Sequence, residues 1–275
     1  MLRRFVGLGL IALLTACAAV PAVPRTSSTA VAATPSQAPA LAVVTIGDSI
    51  PFGQGDCGGC TDFTTLLAEA LQQSSAKTVV PYNLSTRDNL TGARLLDRIR
   101  TVQDFRQTVS QGVVIVVTIG HNDTPWNSTN DPCDGNNPDG LFNWPKYTGA
   151  CVTQQAKRHG TELDGILTEI AKLRSGKPTA IRVTTDYNDV VGWSGAPREA
   201  NAPSIEVLNA FYVETCRVAA QHNAACVDVY HAFNGAQGKT QPVGLLADDH
   251  THPNAKGQQK IADLLIAAGF APILP

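Results

Sequence analysis

The sequence predicts an α/β protein, a three-layer α/β/α sandwich around a five-stranded parallel sheet. Three observations predict it. Five short runs are rich in Val and Ile, and several are continuously apolar, as strands buried on both faces are. Segments with helical periodicity separate them. The two kinds alternate along the chain, and right-handed crossovers then give a parallel sheet covered by helices on both faces.

The strand runs are Ala42–Ile46, Thr78–Asn83, Val113–Ile119, Ala180–Thr185 and Ala225–Tyr230. Between the first two, Phe63 to Leu71 sets Leu66, Leu67 and Leu71 on one helical face. Leu90 to Val109 follows with Leu95, Leu96, Ile99 and Val102. Thr161 to Leu173 carries Leu163, Ile166, Ile170 and Leu173, and Val207 to Ala220 carries Leu208, Phe211 and Tyr212. Ile261 to Ala268 closes the series with Leu264 and Leu265.

Ahead of the first strand the chain reads as export machinery. Arg3 and Arg4 precede the apolar run Phe5 to Leu14, which is too short to span a bilayer and suits a signal-peptide core over residues 1–16. Leu14-Thr15-Ala16-Cys17 is similar to a bacterial lipobox, which makes Cys17 the lipidated first mature residue and a membrane tether. Cleavage after Ala16-Cys17-Ala18 is the alternative. Residues 17–40 are mostly Ala, Pro, Ser and Thr with one charge, Arg25, a composition that buries too little to fold and acts as a linker. The folded domain is expected at 41–275, in a cell-envelope lipoprotein or a secreted protein.

Composition narrows the function classes. The 275 residues carry a net charge of -2 and only 16% charged side chains, without the clustered Lys and Arg of a nucleic-acid binder. A monomer is expected. Seven Cys minus Cys17 leave an even set suited to an oxidising compartment. Proximity suggests Cys57 with Cys60, Cys133 with Cys151, and Cys216 with Cys226. Cys57-Gly58-Gly59-Cys60 lies in a Gly-rich loop rather than at a thioredoxin-like helix start, so it reads as a structural staple.

In parallel sheets the functional site lies beyond the carboxyl ends of the strands. Gly47-Asp48-Ser49-Ile50 follows the first strand, Gly120-His121-Asn122-Asp123 the third, and Asp249-His250-Thr251-His252-Pro253 precedes the last helix. Together they hold the parts of an acyl-transfer site. A Ser hydroxyl becomes nucleophilic when a base takes its proton, His titrates in the range that permits this, and a carboxylate on the far ring nitrogen sets the tautomer. The oxyanion of the tetrahedral intermediate requires preplaced donors, each contributing about 3 kcal/mol. Asn122 offers a side-chain N–H and Ser49 its backbone N–H.

These blocks resemble those of the SGNH (GDSL) hydrolase family. Gly47-Asp48-Ser49 is similar to its nucleophile block, with Ile50 where Leu is common. Gly120-x-Asn122-Asp123 is similar to its Asn block. Asp249-x-x-His252-Pro253, followed by Asn254 and Gly257, is similar to its closing dyad. The resemblance implies the flavodoxin-like strand order 2-1-3-4-5, Ser49 as nucleophile, His252 as base and Asp249 as its partner. It also implies an oxyanion hole from Ser49, Asn122 and a Gly after the second strand. That Gly is missing from Asn83-Leu84-Ser85-Thr86-Arg87-Asp88-Asn89-Leu90-Thr91-Gly92, where the slot falls near Asp88 or Asn89. Asn89 tolerates unusual φ and is the expected donor, with Gly92 as the alternative.

The expected activity is ester hydrolysis by an exported serine esterase or lipase, without metal or organic cofactor. The substrate is a small-molecule, lipid or acylated-glycan ester, and transfer to an acceptor other than water stays open. Two other readings stand beside it: a non-catalytic binding protein on a hydrolase fold, and a metal-dependent hydrolase using His250 and His252. Asp123 reads as a turn residue. Trp126, Trp144, Tyr147, Tyr187 and Trp193 fall in long loops and read equally as ligand-stacking groups or loop packing. The elbow G-x-S-x-G is absent, which argues against the α/β-hydrolase fold.

Overall fold

The computed structural model describes residues 40–53, 57–127, 133 and 142–274. The signal peptide, the lipobox at Cys17 and all of the linker except Ala40 lie outside the described residues.

Strands β1 (Leu41–Gly47), β2 (Val79–Asn83), β3 (Val114–Thr118), β4 (Ala180–Thr184) and β5 (Ala225–Val227) form one sheet in the order β2-β1-β3-β4-β5. Every neighbouring pair is parallel. Side chains alternate between faces along a strand, and the two cores divide accordingly. Val44, Ile46, Ile115 and Val117 face one cluster, while Val43, Val114 and Val116 face the other. A strand apolar at every position is the one that can serve two cores, and β3 is buried throughout.

Helices α2 (Gly92–Thr101), α3 (Gln103–Gln111), α4 (Gly149–Arg174) and α5 (Asn201–Gln221) cover the first face, with Leu95, Phe105, Ile166 and Val218 turned into it. Helices α1 (Phe63–Ser75), α6 (Val229–Asn234) and α7 (Ala255–Ala267) cover the second, with Leu67, Phe233 and Ile261. Full burial of each such side chain contributes roughly 1.5–3 kcal/mol. Asp62 caps α1 by accepting from the N–H groups of Thr64 and Thr65, and Asn254 caps α7 by accepting from those of Lys256 and Gly257.

Several elements differ from the sequence expectation; α5 and α7 each begin six residues earlier than Val207 and Ile261, and three other differences have clear physical causes. The helix expected over Leu90–Val109 is two helices, broken at Val102, whose backbone is extended (φ -89°, ψ 109°) and whose side chain is exposed. The break re-aims the chain so that Phe105 and Val109 enter the core. Arg106 Nη1 donates to the carbonyls of Ile99 and Arg100, freed at the end of α2. The strand expected to run to Tyr230 stops at Val227, because Asp228 caps α6 by accepting from His231 N–H. The helix expected from Thr161 begins at Gly149, where the Gly149 N–H and the Thr148 hydroxyl donate to Glu206.

A third cluster packs Trp126, Trp144 and Tyr147 against Val190, Leu208 and Phe211 of the long loops and α5. The disulfides join Cys57 to Cys60, Cys133 to Cys151 and Cys216 to Cys226. Among the described residues no helix is long and apolar enough to cross a membrane.

Candidate active site

Ser49 stands just past β1, on a turn that requires Gly47. A Cβ at Gly47 would lie 1.9 Å from the Thr118 carbonyl oxygen, so only Gly lets β1 run this close to β3. Asp48 N–H then donates to that carbonyl at 3.1 Å. The Asp48 side chain turns inward and its Oδ1 accepts from Ile50 N–H at 3.0 Å, which folds the turn around Ser49.

The closing block comes to this turn from the start of α7. A short antiparallel bridge pairs Leu246 with Pro253, and Ala247 N–H donates to the His252 carbonyl at 2.8 Å. His250 closes the loop in the left-handed region (φ 61°). Inside it, Asp249 Oδ1 accepts from the N–H groups of Thr251 and His252, at 3.0 and 2.9 Å. Asp249 Oδ2 meets His252 Nδ1 at 2.6 Å, and His252 Nε2 reaches Ser49 Oγ at 2.8 Å. Burial pulls the Asp249 carboxyl upward, but these N–H donors outweigh it and hold it below the usual Asp value. Asp249 therefore stays ionised beside the imidazole.

The closing block is also held from the loop after β4, by Tyr187, which the sequence left between ligand stacking and loop packing, and by Asp189, to which it gave no site role. Tyr187 OH donates to the Thr251 carbonyl, and Thr251 Oγ1 donates to Asp189 Oδ2 at 3.0 Å. Both follow β4 in Asp186-Tyr187-Asn188-Asp189, a polar run at a strand's carboxyl end, which was the available signal. His121 lies beside them, with Nε2 3.8 Å from Asp189 Oδ2.

Asn122 sits in a single 3-10 turn, His121–Asp123, and its Nδ2 donates to the Leu90 carbonyl at 3.1 Å. An amide carries two hydrogens, so this bond fixes the group and leaves the second hydrogen without a partner among the described residues. Asn89 has left-handed backbone (φ 54°), and its N–H has no partner among the described residues. Gly92 does not fit the donor role considered for it. Its N–H is the first of α2 and donates to Asp123 Oδ2 at 2.9 Å. Asp123 is accordingly more than a turn residue, because its buried carboxylate ties the third-strand loop to α2.

Beneath the turn Asp48, Asp123 and Asp186 are all buried. Burial, opposed by the Gly92 N–H and reinforced by Glu162 and Asp48, pushes Asp123 up to about 7. Burial followed by the charges of Asp48, Asp123 and Asp189 carries Asp186 well above the usual range. Burial also raises Asp48, although His121 and the Ile50 N–H pull against it. Gly120 makes room for this group, since a Cβ there would lie 2.2 Å from Asp186 Oδ2.

His250 and His252 diverge. His252 points to Ser49, while the His250 ring stands 5.7 Å from that of Trp193. Among the described residues no three His, Cys, Asp or Glu side chains are grouped to hold a metal ion.

Comparison with known proteins adds the family. The chain matches the GDSL-like lipase/acylhydrolase family over residues 45–260. No curated protein matches it. Among solved structures, a lipase from a goat rumen metagenome superposes with a TM-score of 0.66 at 16% identity, covering 85% of this chain and 99% of the other. An extracellular lipase from Streptomyces rimosus gives 0.57 at 20% identity, over 83% and 100%. A variant of an acetyl-xylooligosaccharide esterase from Geobacillus gives 0.55 at 19% identity, over 82% and 93%.

Proposed function

The chain belongs to the GDSL-like lipase/acylhydrolase family, and from that premise we propose that it is an exported serine hydrolase cleaving carboxylic esters through an acyl-enzyme on Ser49. The observation that carries this reading is the unbroken chain Asp249–His252–Ser49, with contacts of 2.6 and 2.8 Å. Ser49 Oγ attacks the ester carbonyl carbon while His252 Nε2 takes its proton. The resulting oxyanion receives hydrogen bonds from the free N–H of the Asn122 amide and from the backbone N–H groups of Ser49 and Asn89. Collapse expels the alcohol, which leaves with the proton held by His252. Water then adds to the acyl-enzyme with His252 again as base, and the acid departs as Ser49 regains its proton. Asp249, kept ionised, fixes the tautomer and stabilises the imidazolium in both halves.

Hydrolysis of p-nitrophenyl acetate tests the reading. The protein should release nitrophenol, and Ser49→Ala should reduce the rate to background. Equal rates from the two proteins would contradict it. Export is supported by the basic and apolar start of the chain and by three disulfides, which persist in oxidising compartments. Lipidation at Cys17 is part of the same proposal, and a mass shift of the membrane-extracted N-terminal peptide tests it.

A further inference from the structure

Beside the closing block lies a cavity of about 180 Å³, too small for a drug-sized ligand and large enough for a single ring. Its walls come from Trp126 and Trp144, from Trp193, and from Asp189, Asn127 and Thr251. His250 and Thr251 of the closing block also line it, so the cavity borders the segment that carries the base. Trp126 and Trp144 are buried partners, with ring centroids 5.4 Å apart, and show the cavity only part of their surface. Trp193 is different. It is 36% exposed, yet its ring lies so close to Gly195 that a Cβ there would meet it at 2.3 Å, and its other neighbour is the His250 ring. Trp193 is thus held on both sides while it lines the cavity.

The polar groups choose between occupants. Asp189 Oδ2 is taken by Thr251 and Asn127 Nδ2 by the His121 carbonyl, at 3.0 Å each. Asp189 Oδ1 and Asn127 Oδ1 have no partner among the described residues. A hydrocarbon chain would satisfy the indoles but strip water from two acceptors without replacing it, which is unfavourable in an apolar setting. A pyranose ring has both chemistries at once, with C–H faces for the indoles and hydroxyl edges that donate to carboxylate and amide oxygens.

We propose that this cavity is a subsite for a neutral sugar ring, the alcohol part of an acylated-glycan ester. The proposal rests on the esterase reading for its chemistry but not for its binding. With a sugar seated there, the ester oxygen is the group that leaves with the His252 proton, and the acyl group stays on Ser49.

Two measurements test it. In the Ser49→Ala protein, titration with xylobiose and with cellobiose is followed by tryptophan fluorescence. At least one should give saturable quenching that Trp193→Ala weakens tenfold or more and Trp193→Phe largely restores. In the active protein, the ratio of kcat/KM for monoacetylated xylobiose, which keeps its other hydroxyls free, to that for p-nitrophenyl octanoate should fall about tenfold in Trp193→Ala, through KM. Absence of saturable binding of either disaccharide overturns the proposal. So does a Trp193→Ala loss that falls on the octanoate, which would make the cavity an acyl pocket. A protein that binds the disaccharide but hydrolyses no ester would retain the subsite and reject the esterase reading instead.

Discussion

His252 Nε2 and Ser49 Oγ meet at 2.8 Å although the two residues are 203 positions apart in the chain. One buried side chain holds the segments together. Gln258, on the first turns of α7, donates through Nε2 to the Ile50 carbonyl at 3.2 Å and accepts at Oε1 from Phe63 N–H at 3.0 Å. It thereby ties the helix behind His252 to the residue after Ser49 and to the start of α1.

Replacing Gln258 by Leu should therefore damage both stability and turnover. Both backbone groups are buried and would lose their partner, at roughly 1–3 kcal/mol each. Denaturant melting should show a loss of about 2 kcal/mol or more, with kcat falling several-fold. An unchanged midpoint would mean that water replaces the amide without cost.

Asn122→Ala should lower kcat by about a hundredfold or more with little change in KM, because its donor matters most when charge develops on the substrate oxygen. The substitution also leaves the Leu90 carbonyl without its amide partner. A matching rise in KM would place Asn122 in ground-state binding instead.

Asp249→Asn should cut kcat at least a hundredfold, yet less than Ser49→Ala or His252→Ala. The Thr251 and His252 N–H groups bind one oxygen of this side chain. An amide that keeps those bonds turns its NH2 toward His252 Nδ1 and forces the tautomer in which Nε2 carries the proton, which cannot accept one from Ser49. Retention of most activity would show that the carboxylate is not needed to orient the ring.

Stability should carry the mark of Asp123. Its folded-state pKa, about 7, lies above the unfolded value near 3.8, so the folded protein binds the extra proton between them. The associated stability is fully present below about pH 4 and is lost as pH rises through 7. Asp123→Asn retains an acceptor for Gly92 N–H and does not titrate. The stability of the variant relative to the parent should therefore increase from pH 4 to pH 8, by a few kcal/mol at most. A difference that stays constant over that range would place the carboxyl in a more solvated setting.

The sheet was legible because burial on two faces leaves a plain trace. Val114–Thr118 is apolar nearly throughout, and no other common setting tolerates that beside turn residues. Ser49 and Asn122 were legible as types just past strands, and Asp249 and His252 as a pair before the last helix, since the topology itself delivers these segments to one edge. Other features rest on distant partners. Val102 continues the helical periodicity of Leu95 and Ile99, so nothing local marks it as the break; Arg106 completes the turn from four residues on. Gln258 looks like any polar residue of an amphipathic helix and is buried only because Ile50 and Phe63 fold against it. Gly92 is the Gly that follows the expected donor slot, and only the fold delivers Asp123 to its N–H.

The most direct test of the account is labelling by a fluorophosphonate, which reacts with a serine whose proton a neighbouring base removes. Peptide mapping should find one adduct, on Ser49, with none in Ser49→Ala and a rate lowered by several orders of magnitude in folded His252→Ala. An adduct that persists in Ser49→Ala, or a folded wild-type protein that takes up no label, would contradict the assignment of Ser49 as the nucleophile activated by His252.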